Sequence, residues 1–189
     1  MEIAFIIYDG MTTLDFVGAY DPITRLKTMG FINELEYDVC SNKNKIISAE
    51  GLEITADKIL NNLSQYDFIV VPGGEGIKYI AQDKKFIEWI KTAQDKSTIT
   101  SVCGGSIILG LAGLIKDKKA TTHPMRMENL KKFTSKVTDK RIVEDENIIT
   151  ARGVTSSIDL GLFLCEKIAG KEIRVKIQKQ MDYLNYNYG

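Results

Sequence analysis

Three short apolar runs in this chain each end in a glycine-containing turn: EIAFIIYDG (2–10), DFIVVPGG (67–74) and TITSVCGG (98–105). Runs this short, rich in isoleucine and valine, read as strands covered on both faces. Helical patterns fall between them. Thr12, Thr13 and Asp15 offer N-caps for a helix running to about Met29, with Gly30 as its stop. Residues 86–93 carry helical spacing, and 104–114 begin a helix directly after the third run. Buried strands alternating with helices specify an α/β fold: a three-layer sandwich around a mostly parallel central sheet, flavodoxin-like in plan. The 189 residues are expected to form a single domain, 1–189.

The remaining segments fill in that plan. Residues 34–41 read as a second strand, and 45–56 as a hairpin around Glu50-Gly51. Residues 119–122 suggest a short strand and 124–132 a helix. Residues 137–143 and 147–151 form a strand pair around Asp145-Glu146, and 155–169 an amphipathic helix stopped by Gly170. A last helix is expected over 171–186. In open α/β sheets ligands bind beyond the carboxyl ends of the strands. Three loops leave strand ends here, at 9–15, 72–76 and Cys103, and right-handed crossovers bring them to one edge.

Composition narrows the partners. Lysine plus arginine equals aspartate plus glutamate, 25 against 25, so there is no basic surplus for nucleic acid. The longest apolar stretches, such as 107–115, are too short to span a bilayer. The N-terminus reads as a strand and not as a signal peptide. Cys40, Cys103 and Cys165 form no C-x-x-C pair, so neither a disulfide framework nor a metal site is expected. These readings point to a cytoplasmic protein with a small-molecule substrate and no nucleic-acid or membrane partner.

Cys40 and Cys165 fall inside ordinary element patterns and read as core packing. Cys103 stands where a strand turns into a helix, with Ser101 two residues before and Gly105 two after. That is the spacing of a nucleophile elbow, whose tight turn needs small neighbours. A helix N-terminus facing the sulfur favours thiolate over thiol. The Gly104 N–H is placed to stabilise developing negative charge, and Gly74 in the glycine-rich loop is a plausible second donor.

The motifs VPGGEG (71–76) and SVCGGSIILGLAGLIKDKKATTHP (101–124) resemble the ThiJ/PfpI superfamily, whose fold is like the class I glutamine amidotransferase domain. IIYDGMTTLDFVGAYDP (6–22) is similar to the branch that holds isonitrile hydratases and the sensor halves of AraC-type regulators. ITARGVTSSIDLGLFLCEKIAG (149–170) is similar to the family's late Gly-Val loop and helix, which includes Val154. The resemblance implies Cys103 as nucleophile and an acidic partner after the first strand. In this sequence that partner is Asp15, which also reads as a helix N-cap. It further implies a homodimer.

Family peptidases carry a histidine directly after the cysteine; here that residue is Gly104, which argues against peptidase activity. The isonitrile hydratases carry a threonine there, so Gly104 departs from that pattern as well. His123 in the TTHP segment occurs in the glyoxalase-like relatives, and on its own it also reads as a structural hydrogen-bonder. The resemblance therefore implies an isonitrile hydratase-like lyase that hydrates an isocyanide to an N-formamide without a cofactor. The alternatives are a glutathione-independent glyoxalase or deglycase, or a stand-alone redox or small-molecule sensor using the same cysteine. Pocket walls are expected from Thr12, Phe16, Glu75, Ile77 and Val154.

Overall fold

The computed structural model describes residues 1–93 and 96–184. In chain order its elements are β1 (Glu2–Ile6), α1 (Thr13–Thr28), β2 (Glu36–Ser41), β3 (Lys45–Ile47), β4 (Glu53–Thr55), β5 (Lys58–Ile59), β6 (Phe68–Val71), α2 (Ile77–Ile80), α3 (Lys84–Lys91), β7 (Thr98–Val102), α4 (Gly105–Leu111), α5 (Met127–Leu130), β8 (Ile142–Asp145), β9 (Ile148–Ala151), α6 (Ser156–Ala169) and α7 (Lys171–Gln180). Seven strands make one sheet in the order β5-β2-β1-β6-β7-β9-β8, and only the β8–β9 pair is antiparallel. The mostly parallel three-layer sandwich expected from the sequence is the architecture found.

The order explains where a site can form. From β1 the chain steps one way to β2, whereas β6 adds on the other flank of β1 and β7 continues outward. With right-handed crossovers this reversal sends α1 to one face of the sheet and the helices between β6 and β7 to the other. A crevice opens where the direction switches, above the carboxyl ends of β1 and β6.

Helices α1 and α6 pack so closely that side chains are excluded between them. A Cβ on Gly18 would collide with the Ser157 hydroxyl and sit 2.8 Å from the Ser157 Cβ; one on Gly161 would strike the Pro22 ring. Cys165 is buried under this seam, with its sulfur 3.2 Å from the Pro22 carbonyl oxygen. Gly18→Ala is therefore expected to destabilise. Helix propensity favours alanine by about 1 kcal/mol, but the overpacking costs about 1–3 kcal/mol. A lowered thermal midpoint checks this; an unchanged or raised midpoint contradicts it.

Several expectations need correction. Residues 119–122 form no strand, only an isolated bridge from Ala120 to Val137. Side chains take the ladder's place: the Thr121 N–H donates to Thr150 Oγ1, and the Thr122 hydroxyl donates to the Cys103 carbonyl. The strand expected over 137–143 is instead β8, at 142–145. Residues 124–132 open as a 3-10 turn over Pro124–Arg126 before α5 begins. The two-residue strand β5 carried too little pattern to be read. The expected end of the last helix, at Tyr186, lies outside the described residues.

The hairpin over 45–56 is present as a separate two-stranded sheet of β3 and β4. Its tip reaches α1: Glu50 accepts hydrogen bonds from the Thr13 N–H (2.9 Å) and the Thr13 hydroxyl (2.5 Å). Those bonds hold the Glu50 carboxyl below its usual value and tie down the first turn of α1. No helix among the described residues is long and apolar enough to cross a membrane.

Candidate active site

Cys103 has φ = +55°, a left-handed backbone that residues with a Cβ rarely adopt. The surroundings enforce it. The Cys103 N–H donates to the Ala151 carbonyl (3.0 Å). Its own carbonyl accepts from the hydroxyls of Thr122 (2.8 Å) and Ser106 (3.3 Å). A Cβ on Gly105 would collide with the Val71 carbonyl oxygen, so the position two residues after the cysteine must be glycine for β6 and α4 to meet. This is a nucleophile elbow at the end of β7.

The loop after β6 closes over it. A Cβ on Gly73 would lie 2.5 Å from the Gly104 nitrogen, 2.9 Å from Asp15 Oδ2 and 2.9 Å from the Cys103 Cβ. One missing side chain thus lets the thiol, the acid and the following backbone nitrogen converge. The loops after β1 and β6 lock together without side chains: the Thr12 N–H donates to the Gly73 carbonyl and the Gly76 N–H to the Gly10 carbonyl, both at 2.9 Å. Gly74, at φ = +137°, packs against the backbone of Gly10, Met11 and Thr12.

Asp15 is not a cap. It is the third residue of α1, fully buried, and its Oδ2 accepts the Gly73 N–H at 3.0 Å. Oδ1 is buried without a partner of ordinary hydrogen-bond geometry, and it belongs to a carboxyl that interacts with the Cys103 thiol. Burial pushes Asp15 up to about 7, against the pull of the Gly73 N–H and of Cys103. Burial likewise pushes the Cys103 thiol up to about 12, and the Asp15 charge adds to the rise; the Gly104 N–H and Arg126 oppose it.

Burial and the neighbouring carboxylate thus work against the thiolate expected from the sequence, while the Gly104 N–H and Arg126 work for it. Helix α4 has only seven residues, and its dipole end does not offset the burial of sulfur beside a carboxylate. Thiol and acid form a buried pair, and burial pushes the pKa of each upward.

Above the thiol is a cavity of about 370 Å³, lined by Thr12, Gly74, Glu75, Cys103, His123, Met125, Arg126, Asn129 and Val154. The structure thus brings Cys103, Gly74, Glu75, His123 and Val154 to one space, with Asp15 and Gly104 beneath it. Phe16 does not line it. One helical step past Asp15, Phe16 turns into the core against Phe5 and Tyr20, with ring centroids at 6.2 and 5.2 Å. Ile77 also lies outside, in an adjacent groove. His123 presents its ring to the cavity, while its Nδ1 accepts the Met125 N–H at 3.3 Å, which fixes the turn leading to Arg126.

Sequence reasoning missed Met125, Asn129 and, of most consequence, Arg126. Its guanidinium pairs with Glu75 at 2.6 Å, across 51 residues of chain. The one local signal was its place two residues after His123-Pro124, and nothing in the sequence pattern pairs it with Glu75. Among the described residues no cluster of three or more histidine, cysteine or acidic side chains is arranged to hold a metal ion.

The family model described as DJ-1/PfpI matches residues 1–167. The chain is 29% identical over 184 residues to an isonitrile hydratase from Pseudomonas putida, covering 97% of this chain and 78% of that one. It is 28% identical over 181 residues to protein DJ-1alpha from Drosophila melanogaster, covering 93% and 81%. Among solved structures, a THiJ/PfpI family protein from Pseudomonas syringae superposes with a TM-score of 0.85 at 29% identity, covering 97% of this chain and 75% of the other. With the elbow, the acid after the first strand and the sheet order all in place, the chain belongs to the DJ-1/PfpI family.

Proposed function

We propose that this protein hydrates an isocyanide to an N-formamide, with Cys103 as nucleophile and Asp15 as proton carrier. One observation carries the reading: the buried Asp15 carboxyl and the Cys103 thiol meet at Gly73, where a Cβ would lie 2.9 Å from both Asp15 Oδ2 and the Cys103 Cβ. An isocyanide, R–N≡C, takes a nucleophile and a proton on the same terminal carbon. Cys103 sulfur bonds that carbon while Asp15 receives the thiol proton and returns it there, giving the thioimidate R–N=CH–S–Cys103. Water then adds across the C=N bond. The carbon gains hydroxyl and the nitrogen gains hydrogen. Asp15 takes the proton of the new hydroxyl and delivers it to the departing sulfur, which leaves R–NH–CHO and the free thiol. The net change is the addition of one water, and no free thiolate accumulates. The N–H groups of Gly104 and Gly74 are suited to charge that develops during the water step.

The 29% identity to an isonitrile hydratase supports this reading. A sensor role fits less well, because Cys103 is only 6% exposed and oxidation of a thiol follows its exposure. A glyoxalase-type reaction is the second reading, favoured by the His123 ring on the cavity wall.

Incubation with p-nitrophenyl isocyanide and, separately, with methylglyoxal decides between them. Formamide from the first, with turnover kept in His123→Ala, is the expected result. Lactate from the second, lost in His123→Ala, would replace the hydratase reading.

A further inference from the structure

Among the described residues lining the cavity, Arg126 is the one with a fixed positive charge, and its partner is poorly held. The Glu75 side chain is 80% exposed, whereas that of Arg126 is 23% exposed. An ion pair with one partner so exposed is worth about 0–1 kcal/mol, so a second carboxylate displaces Glu75 at little cost. A guanidinium binds a carboxylate through two parallel N–H donors, which fixes orientation as well as charge. The same pair separates the cavity from a groove lined by Ile77, Ile107 and Phe133, so Glu75 has open space in which to withdraw.

Gly104 explains how Arg126 reaches the thiol. A Cβ at 104 would lie 3.2 and 3.3 Å from Arg126 Cδ and Nε and would collide with Ile77 Cδ1. The arginine stem therefore crosses the residue next to Cys103 because that residue has no side chain.

Resting on the reading of Cys103 as the reacting group, we propose that the substrate is a small molecule carrying a carboxylate near its electrophilic carbon, and that Arg126 binds this carboxylate in exchange for Glu75. Arg126 is thus a specificity residue.

The test is alkylation of Cys103 in the full chain by iodoacetate and by iodoacetamide, at one alkaline pH, followed by mass spectrometry. Both reagents form the same carbon–sulfur bond and release iodide; they differ in carboxylate against amide. The ratio of their rates cancels any change in thiolate fraction. Arg126→Gln is expected to lower the iodoacetate-to-iodoacetamide ratio by about tenfold, the scale of a charged hydrogen bond lost. Arg126→Lys should restore part of it, and Glu75→Gln should raise it severalfold. If both rates fall together in Arg126→Gln and the ratio stays put, Arg126 only tunes the thiol and the proposal is overturned. A ratio unmoved by Glu75→Gln overturns the exchange. Alkylation needs no hydratase activity, so a failure here and a failure of the hydratase reading are separate results.

Discussion

Cys103→Ala should abolish isocyanide turnover, lowering kcat/KM by roughly 10³-fold or more, because Cys103 is the one thiol lining the cavity among the described residues. Formamide production followed by chromatography measures it, and a variant that kept even a tenth of wild-type turnover would refute the mechanism. A companion substitution separates chemistry from folding. Residue 103 holds φ = +55°, a conformation that costs a residue with a Cβ about 1–2 kcal/mol and glycine almost nothing. Cys103→Gly should be as inactive as Cys103→Ala yet more stable than it by about 1 kcal/mol. Equal melting temperatures for the two would mean that the elbow stores no strain.

Asp15→Asn is expected to move activity and stability in opposite directions. Loss of the proton carrier should reduce turnover by roughly 10²–10⁴-fold. The wild-type rate should rise as pH climbs through about 7, where Asp15 becomes the carboxylate that accepts the thiol proton; the residual rate of the variant should lack this step. The sign for stability follows from the same value. The folded-state pKa of Asp15 is raised from 3.8 to about 7, so the folded chain binds the proton more tightly than the unfolded one. Stability is therefore highest below about 4 as far as this group is concerned, and it is lost as pH rises through 7. The buried charge then costs the fold a few kcal/mol, at about 1.4 kcal/mol per tenfold change in proton affinity. Asparagine carries no such charge, so the variant should out-melt wild type at pH 8 and differ little at pH 4. A variant less stable at pH 8 would show that the Gly73 N–H bond to the carboxylate outweighs its desolvation. Removing the Asp15 charge should also lower the Cys103 pKa, seen as faster alkylation by iodoacetamide at pH 9.

Much of the scaffold was readable in the sequence. The strands ending at Val71 and Val102 and the elbow glycine at 105 announce themselves through local pattern, whereas the local pattern at Asp15 read only as a helix cap and its acid role came from the family resemblance. The failures share a different character. Whether Cys103 keeps its proton depends on how deeply the sulfur is buried and on a carboxylate 88 residues earlier in the chain, and neither is a local property. The Arg126–Glu75 pair likewise joins two loops only after the sheet has formed. Phe16 was misplaced because loop proximity was taken for exposure, whereas one helical step turned the ring into the core. The absent strand over 119–122 shows side-chain hydroxyls taking the hydrogen bonds that a β ladder would have used.

The interlocked turns at Gly10–Thr12 and Gly73–Gly76 carry one more consequence, for how such a site diversifies. The contacts that register thiol and acid are made by backbone atoms, and at Gly10, Gly73, Gly74 and Gly76 a side chain would collide. Substitution at those glycines would disturb the alignment, which leaves the rim at Glu75, Met125, Arg126, Asn129 and Val154 as the place where side chains can be exchanged. Glu75, Met125, Asn129 and Val154 can be exchanged without touching the reacting pair, whereas Arg126 also bears on the thiol. A lineage built on this plan can drift in what it accepts while its central chemistry stays constant, and the identity of the rim becomes a record of the molecules it has met.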